Sequence, residues 1–148
     1  MSAEWTPYIY RREIFWGDTD PARIAYTGRF SDFVLEAIES FYRARLGTDW
    51  SRMAYEEDLG TPFVHLELDF KSPVTTKEPL DLTVIVARAG RSSVDYQVFA
   101  RGSETGALRF TAKATNVWIY SSAMKTIAIP DRYKTIIERE IAHGAKTA

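Results

Sequence analysis

The 148-residue sequence contains no cysteine. That absence excludes a disulfide framework, thiolate zinc sites and a cysteine nucleophile, and it removes the usual mark of an oxidising compartment. Histidine is scarce as well. Only His65 and His143 occur, neither with a second ligand type at a recognised metal-binding spacing, so no metal site is expected and both read as surface or structural residues. There is no Gly-x-Ser-x-Gly elbow for a Ser-His-Asp hydrolase, and no glycine-rich phosphate or dinucleotide motif. An excess of one charge is missing too: Lys+Arg 19 against Asp+Glu 20 leaves a formal charge of -1, which gives no bulk positive field to gather nucleic acid or an anionic membrane. No apolar run approaches membrane-spanning length, and Met1-Ser2-Ala3-Glu4-Trp5 lacks the basic and apolar regions of a signal peptide. The expectation is a cytoplasmic protein.

Apolar residues make up 45% and charged residues 26%, the composition of a chain that folds around one core, and the expectation is a single domain over residues 1–148. Tyr8 to Trp16 is rich in aromatic and β-branched residues and ends at Gly17, which predicts a first strand. From Phe30, the residues Phe33, Val34, Ala37, Ile38, Phe41 and Ala44 recur at helical spacing, with Asp32, Glu36, Glu39 and Arg43 on the other side. This amphipathic helix should end near Leu46-Gly47, and Leu35, Tyr42 and Leu46 form a second apolar flank that predicts contact with another subunit. A short helix over 50–57 and the breaker Gly60-Thr61-Pro62 follow. Val64, Leu66, Leu68 and Phe70 then alternate with His65, Glu67, Asp69 and Lys71, the pattern of a half-buried strand.

Leu80 to Arg88 and Val94 to Arg101 alternate around Ala89-Gly90 as an antiparallel hairpin. Ala107 to Tyr120 is long for one strand and changes phase near Val117 and Ile119, which calls for a bend or bulge. Past Pro130, Tyr133, Ile136, Ile137 and Ile141 mark a second amphipathic helix covering an edge or end of the sheet. The order predicts an α+β domain with an antiparallel sheet packed on one long helix.

The unusual segment is Phe15-Trp16-Gly17-Asp18-Thr19-Asp20-Pro21-Ala22-Arg23-Ile24-Ala25-Tyr26-Thr27-Gly28-Arg29-Phe30, which joins the first strand to the long helix. Pro21 fixes the course of the chain after Asp20, and a helix beginning near Thr27-Gly28 offers unpaired backbone N–H groups and the positive end of its dipole. A carboxylate facing such donors could act on a carbonyl whose oxygen gains negative charge. The same residues also read as an Asx-type turn followed by a Thr27 helix cap.

The run Asp18-Thr19-Asp20-Pro21-Ala22, with Tyr26 six residues after Asp20 and an amphipathic helix following, resembles the 4-hydroxybenzoyl-CoA thioesterase family of hotdog-fold enzymes. The resemblance extends through Gly60-Thr61-Pro62, the later strands and Ile129-Pro130 before the last helix. It implies a curved antiparallel sheet wrapped around one long central helix, a C-terminal helix, subunits joined through their sheets as a homodimer or homotetramer, and active sites between subunits. It also implies acyl-CoA hydrolysis with no cofactor, no nucleic-acid partner and no membrane. Carried over by position, Asp20 becomes the catalytic carboxylate, the oxyanion donor is the backbone N–H of Thr27 or its immediate neighbour, Tyr26 counts with them among the catalytic residues, Gly28 and Thr61 contact substrate, and Asp18 is mainly structural. Arg91, and less directly Arg88, fall where the family holds the CoA nucleotide. Thr27 replaces the histidine of the similar Tol-Pal-associated thioesterases, which removes that histidine's role and argues against their short aliphatic substrates. Phe30, Phe33, Tyr26 and Trp16 favour an aromatic acyl group, while Glu36 and Glu39 read as solvated helix residues. Two other readings share these residues: a non-catalytic CoA or acyl-carrier binding module, and a hotdog hydratase or dehydratase.

Overall fold

The computed structural model describes residues 4–145. Strand β1 (Tyr8–Arg12) leads through the loop of interest to helix α1 (Phe30–Phe41) and then to α2 (Trp50–Glu56). Strands β2 (Leu59–Gly60), β3 (Phe63–Phe70), β4 (Leu80–Ala89), β5 (Ser93–Gly102) and β6 (Leu108–Val117) follow. Two short strands, β7 (Ile119–Tyr120) and β8 (Lys125–Thr126), precede helix α3 (Asp131–Gly144). One antiparallel sheet has the order β1-β4-β5-β6-β3, and β2, β7 and β8 form a second small one. Among the described residues, no helix is long and apolar enough to cross a membrane.

Alternation decides which sheet face meets the helix. Leu80, Leu82, Val84 and Val86 of β4, Val94, Tyr96, Val98 and Ala100 of β5, and Phe110, Ala112 and Ala114 of β6 are all buried on that face. Phe33, Val34, Ala37, Ile38 and Phe41 of α1 meet them at 0–1% exposure. Each fully buried Val, Ile or Phe side chain contributes roughly 1.5–3 kcal/mol, so this stripe holds the helix against the sheet. The fold is the expected α+β arrangement with a central and a C-terminal helix.

Four details differ from the sequence expectation. The first strand stops at Arg12 rather than Trp16, because the Asp18 carboxylate accepts the Phe15 N–H at 2.9 Å and bends residues 16–18 into a 3-10 turn. Tyr42 and Leu46 do not form an outer flank: they are 0% and 6% exposed inside the subunit, and only Leu35 stays half-buried. Tyr42 lies one turn after the buried Ile38, and a π-helical turn over Tyr42–Leu46, wound more widely, brings Leu46 inward before Gly47 (φ +70°) ends the helix. The β3 strand alternates as read but is largely exposed, because it is the sheet's last strand. In the long segment 107–120 the break falls at Trp118, where β6 ends and β7 begins, and Asn116 and Trp118 keep the buried phase of Phe110, Ala112 and Ala114.

Candidate active site

The loop between β1 and α1 is closed by a bridge pairing Thr19 with Ala25. Within it the Asp20 carbonyl accepts the Arg23 N–H at 2.8 Å, a β-turn with Pro21 at the position that suits its fixed φ, and Asp20 N–H donates to the Ile24 carbonyl at 3.0 Å. Arg23 takes a left-handed φ of +66° to complete it. Asp20 Oδ1 accepts the Ala22 N–H at 2.8 Å, the Asx turn, and Oδ2 has no partner among the described residues. Ala25 N–H donates to the Val74 carbonyl at 2.7 Å, which ties the loop to the segment after β3.

Asp18 lives differently. It is buried, its Oδ2 accepts from Arg12 and from the Phe15 N–H, and Arg29 lies 3.7 Å from Oδ1. Burial pushes its carboxyl up, but the Arg12 hydrogen bond, the Phe15 N–H and the charges of Arg12 and Arg29 outweigh this and hold it below its ordinary range. The Tyr26 N–H donates to its backbone carbonyl at 2.8 Å. Arg12 also reaches Glu36 at 3.3 Å, so Glu36 belongs to this ion-pair cluster rather than standing alone in solvent.

The helix start has no side-chain cap. A 3-10 turn over Thr27–Arg29 runs into α1, and neither Tyr26 before the turn nor Arg29 before α1 supplies a capping hydrogen bond. The Thr27 cap is therefore not formed, and the Thr27 and Gly28 N–H groups have no partner among the described residues. A Cβ at Gly28 would meet the Tyr26 ring at 2.5 Å, so a larger residue there would push that ring aside. Tyr26 lies against that backbone while 56% exposed, and Phe15 and Trp16 nearby in the chain are 65% and 69% exposed. Phe30, the first residue of α1, packs edge-on against Phe70 and Phe110 at 4.9 and 5.0 Å. Asp20, Tyr26, Thr27 and Gly28 thus share one loop and helix start.

Arg91 lies elsewhere, on a cavity of about 530 Å³ between the β4–β5 hairpin and the start of α3, with Glu57, Tyr120, Thr126 and Arg132 also on its wall. Arg88 sits at the register shift of β4 and does not line that cavity. Thr61 is remote from Asp20 within the chain, near the buried Tyr42 phenol towards the other end of the helix. Arg132 was not anticipated from sequence. The one signal was a cation in the first turn of a helix, where the dipole opposes it, and Glu57 compensates through a direct ion pair.

A model of the thioesterase-like superfamily matches residues 14–137. A curated 1,4-dihydroxy-2-naphthoyl-CoA hydrolase from Synechocystis is 27% identical over 132 residues, covering 88% of this chain and 94% of the relative. Among solved structures, a thioesterase superfamily protein from Jannaschia sp. CCS1 is similar at TM-score 0.87 and 32% identity, covering 95% of this chain and 97% of the other. A 1,4-dihydroxy-2-naphthoyl-CoA thioesterase from Synechocystis shares the fold at TM-score 0.81 and 23% identity, over 89% and 96% of the two chains.

Proposed function

The chain belongs to the thioesterase-like superfamily and is a thioester hydrolase, and from that premise we propose that it cleaves CoA esters of hydroxylated aromatic acids with Asp20 as the reacting carboxylate. The observation that carries the reading is the pairing of a carboxylate oxygen left free by its own turn with a helix start left uncapped. A thioester carbonyl seated on the Thr27 and Gly28 N–H groups would have its oxygen stabilised as charge develops there, the effect that is usually the largest single contribution to catalysis of acyl transfer. Asp20 Oδ2 then either attacks the carbonyl carbon, expelling CoA thiolate and forming a mixed anhydride that water hydrolyses to the free acid and the Asp20 carboxylate with its proton passing to the thiolate, or takes a proton from the attacking water and passes it to the departing CoA sulfur.

Tyr26, Trp16, Phe15 and Phe70 give this end of the molecule exposed ring surface suited to a flat acyl group. The curated relatives named for an aromatic acyl-CoA support the same class. The cavity carrying Arg91 supports that residue as a contact for a CoA phosphate. Exposed apolar residues on β3 support an enzyme that works as at least a dimer.

The test is thiol release from a panel of CoA esters: 1,4-dihydroxy-2-naphthoyl, 4-hydroxybenzoyl, and short and long aliphatic acyl groups. The expected result is kcat/KM highest for the two aromatic esters. A preference for aliphatic esters would refute the substrate class, and no thiol release from any would refute the activity. Arg91→Ala should raise KM for CoA esters about tenfold, the loss of one charge-assisted hydrogen bond of roughly 1.4 kcal/mol, and leave pantetheine esters unchanged.

A further inference from the structure

The wall of the cavity that holds Arg91 carries two guanidiniums, Arg91 and Arg132, and one carboxylate, Glu57. At about 530 Å³ the cavity has a size common among small-molecule sites. Its three charges are not equally engaged. Arg91 has no carboxylate partner among the described residues, and its guanidinium reaches the neighbouring Ser92 hydroxyl at 3.4 Å. Arg132 is paired with Glu57, yet the arginine side chain is 59% exposed and the glutamate side chain 23%. Glu57 is also held from a second side, because the Tyr133 phenol donates to its two oxygens at 2.7 and 2.8 Å. If Arg132 turned away, Glu57 would keep that donor.

The position of Arg132 adds to this asymmetry. It stands in the first turn of α3, where the helix dipole opposes a cation, and Glu57 is the charge that offsets it there. Its guanidinium also lies 4.6 Å from the centre of the Tyr133 ring, so the phenol of Tyr133 fixes the carboxylate while its ring supports the arginine. A phosphate entering the cavity would offer Arg132 the same kind of partner with more charge and oxygens spaced for a forked contact.

We propose that Glu57 is a built-in competitor for a CoA phosphate: it engages Arg132 until a phosphate held by Arg91 takes the arginine from it, which leaves Glu57 on the Tyr133 phenol. This rests on the reading of Arg91 as a CoA-phosphate contact and goes beyond it by assigning a second cation and a carboxylate that opposes binding. Removing the carboxylate should therefore strengthen binding, the reverse of what a supporting residue would show. A part-exposed ion pair is weak, so the competition sets affinity within a few-fold and does not block the site.

The test is calorimetric titration of free CoA into the full chain and its variants. Arg91→Ala supplies the reference, a loss of about tenfold in affinity. Glu57→Gln, whose amide oxygen can still accept the Tyr133 hydroxyl, should tighten CoA binding about two- to fivefold. Arg132→Ala should weaken it about two- to fivefold, less than Arg91→Ala, because the lost phosphate contact is partly offset by the Glu57 contact that no longer has to break. In the Glu57→Gln background the same Arg132→Ala change should cost about tenfold, and with Arg132 already replaced Glu57→Gln should change nothing. Equal tightening by Glu57→Gln with and without Arg132 would make the carboxylate a background charge and overturn the competition. Weaker CoA binding in Glu57→Gln overturns it as well. Arg132 is exposed enough to replace safely, so it carries the test should Glu57→Gln not fold, and unchanged CoA affinity in Arg132→Ala is a third overturning result. If Arg91→Ala itself leaves CoA affinity unchanged, the placing of the phosphate at this cavity fails and the competition falls with it, a pattern distinct from the other three.

Discussion

At its C-terminal end α1 runs into Tyr42, whose phenol is wholly buried and meets Tyr96 at 2.7 Å and Asn116 Nδ2 at 2.9 Å, with Trp50 and Trp118 packed around its ring. At its N-terminal end the helix begins at Thr27 with free N–H groups, exposed aromatics and a carboxylate with one unused oxygen. The first end shuts its polar groups inside the subunit, where the Tyr42 hydroxyl is paired while Trp50 Nε1, Asn116 Oδ1 and Trp118 Nε1 have no hydrogen-bond partner among the described residues. The second leaves its backbone N–H groups and one carboxylate oxygen where water or a ligand can reach them. Stability and chemistry are therefore divided between the ends of one helix, and the division repeats in miniature between Asp18 and Asp20. One carboxylate is buried among Arg12, Arg29 and an N–H, and its neighbour two residues on makes a single turn bond.

The strongest way to break that comparison is to exchange the roles of the two carboxylates. Asp20→Asn keeps the size and the Ala22 hydrogen bond but removes the nucleophile or base, so kcat should fall by about 10² to 10⁴ with the denaturation midpoint unchanged. Asp18→Asn should do the reverse: about 3 kcal/mol of stability lost in urea unfolding, because Arg12 is left without its buried partner, and a kcat change under tenfold. If kcat falls further for Asp18→Asn than for Asp20→Asn, the assignment is wrong.

A smaller effect sharpens the contrast from the other end. Tyr42→Phe removes the hydroxyl shared by Tyr96 and Asn116 and should destabilise the fold by about 1–3 kcal/mol, the cost of leaving buried polar groups unpaired, while kcat stays within a few-fold. Equilibrium unfolding and steady-state kinetics on the same preparation check both halves.

Much of this was legible in the sequence, and the gaps have physical causes. Helical spacing from Phe33 to Phe41 placed α1 because one face meets the sheet, and strict alternation placed β4 and β5 because one face of each is buried. The same alternation in β3 was read as half-buried, since a local pattern reports which residues share a face and not whether another strand covers it. Leu46 was misplaced because a helical wheel assumes 3.6 residues per turn and the π turn breaks that count, and Tyr42 because the buried face is wide enough to take in the residue one turn after Ile38. At the site, Asp-Pro and Gly28 carry local signatures of a turn and a close ring contact, so Asp20 and its neighbours were readable. Arg132 owes its position to Glu57, 75 residues away in the chain, and Thr61 lies at the far end of the helix from Asp20, so no local pattern could place either beside another candidate.

The smallest predicted effect concerns what steadies the open end from below. The loop carrying Asp20 hangs on the Val74 carbonyl, and Glu78, in the same connection between β3 and β4, ties that connection to the turn between β5 and β6. That carboxylate accepts from the Thr105 hydroxyl at 2.7 Å, the Thr105 and Glu104 N–H groups at 3.0 and 3.1 Å, and Arg109 at 3.0 Å. The Thr105 hydroxyl and N–H are the largest of these influences, and together with Arg109 and the Glu104 N–H they bring Glu78 down to about 2. A carboxyl whose folded value lies below its unfolded one contributes stability that is fully present above the unfolded value, about 4.3, and is lost as pH falls toward about 2. Asp18, also held low, adds to the same acid limb with the same sign. Glu78→Gln cannot lose a charge on acidification, so its midpoint should fall less than that of the wild type between pH 5 and pH 2.5, while at pH 7 the variant should be slightly the less stable. Thermal midpoints of both proteins across that range decide the matter. Parallel curves would mean that the loop's support comes from the Ala25–Val74 hydrogen bond and its packing, and that the Glu78 knot contributes little to holding the open end of the helix.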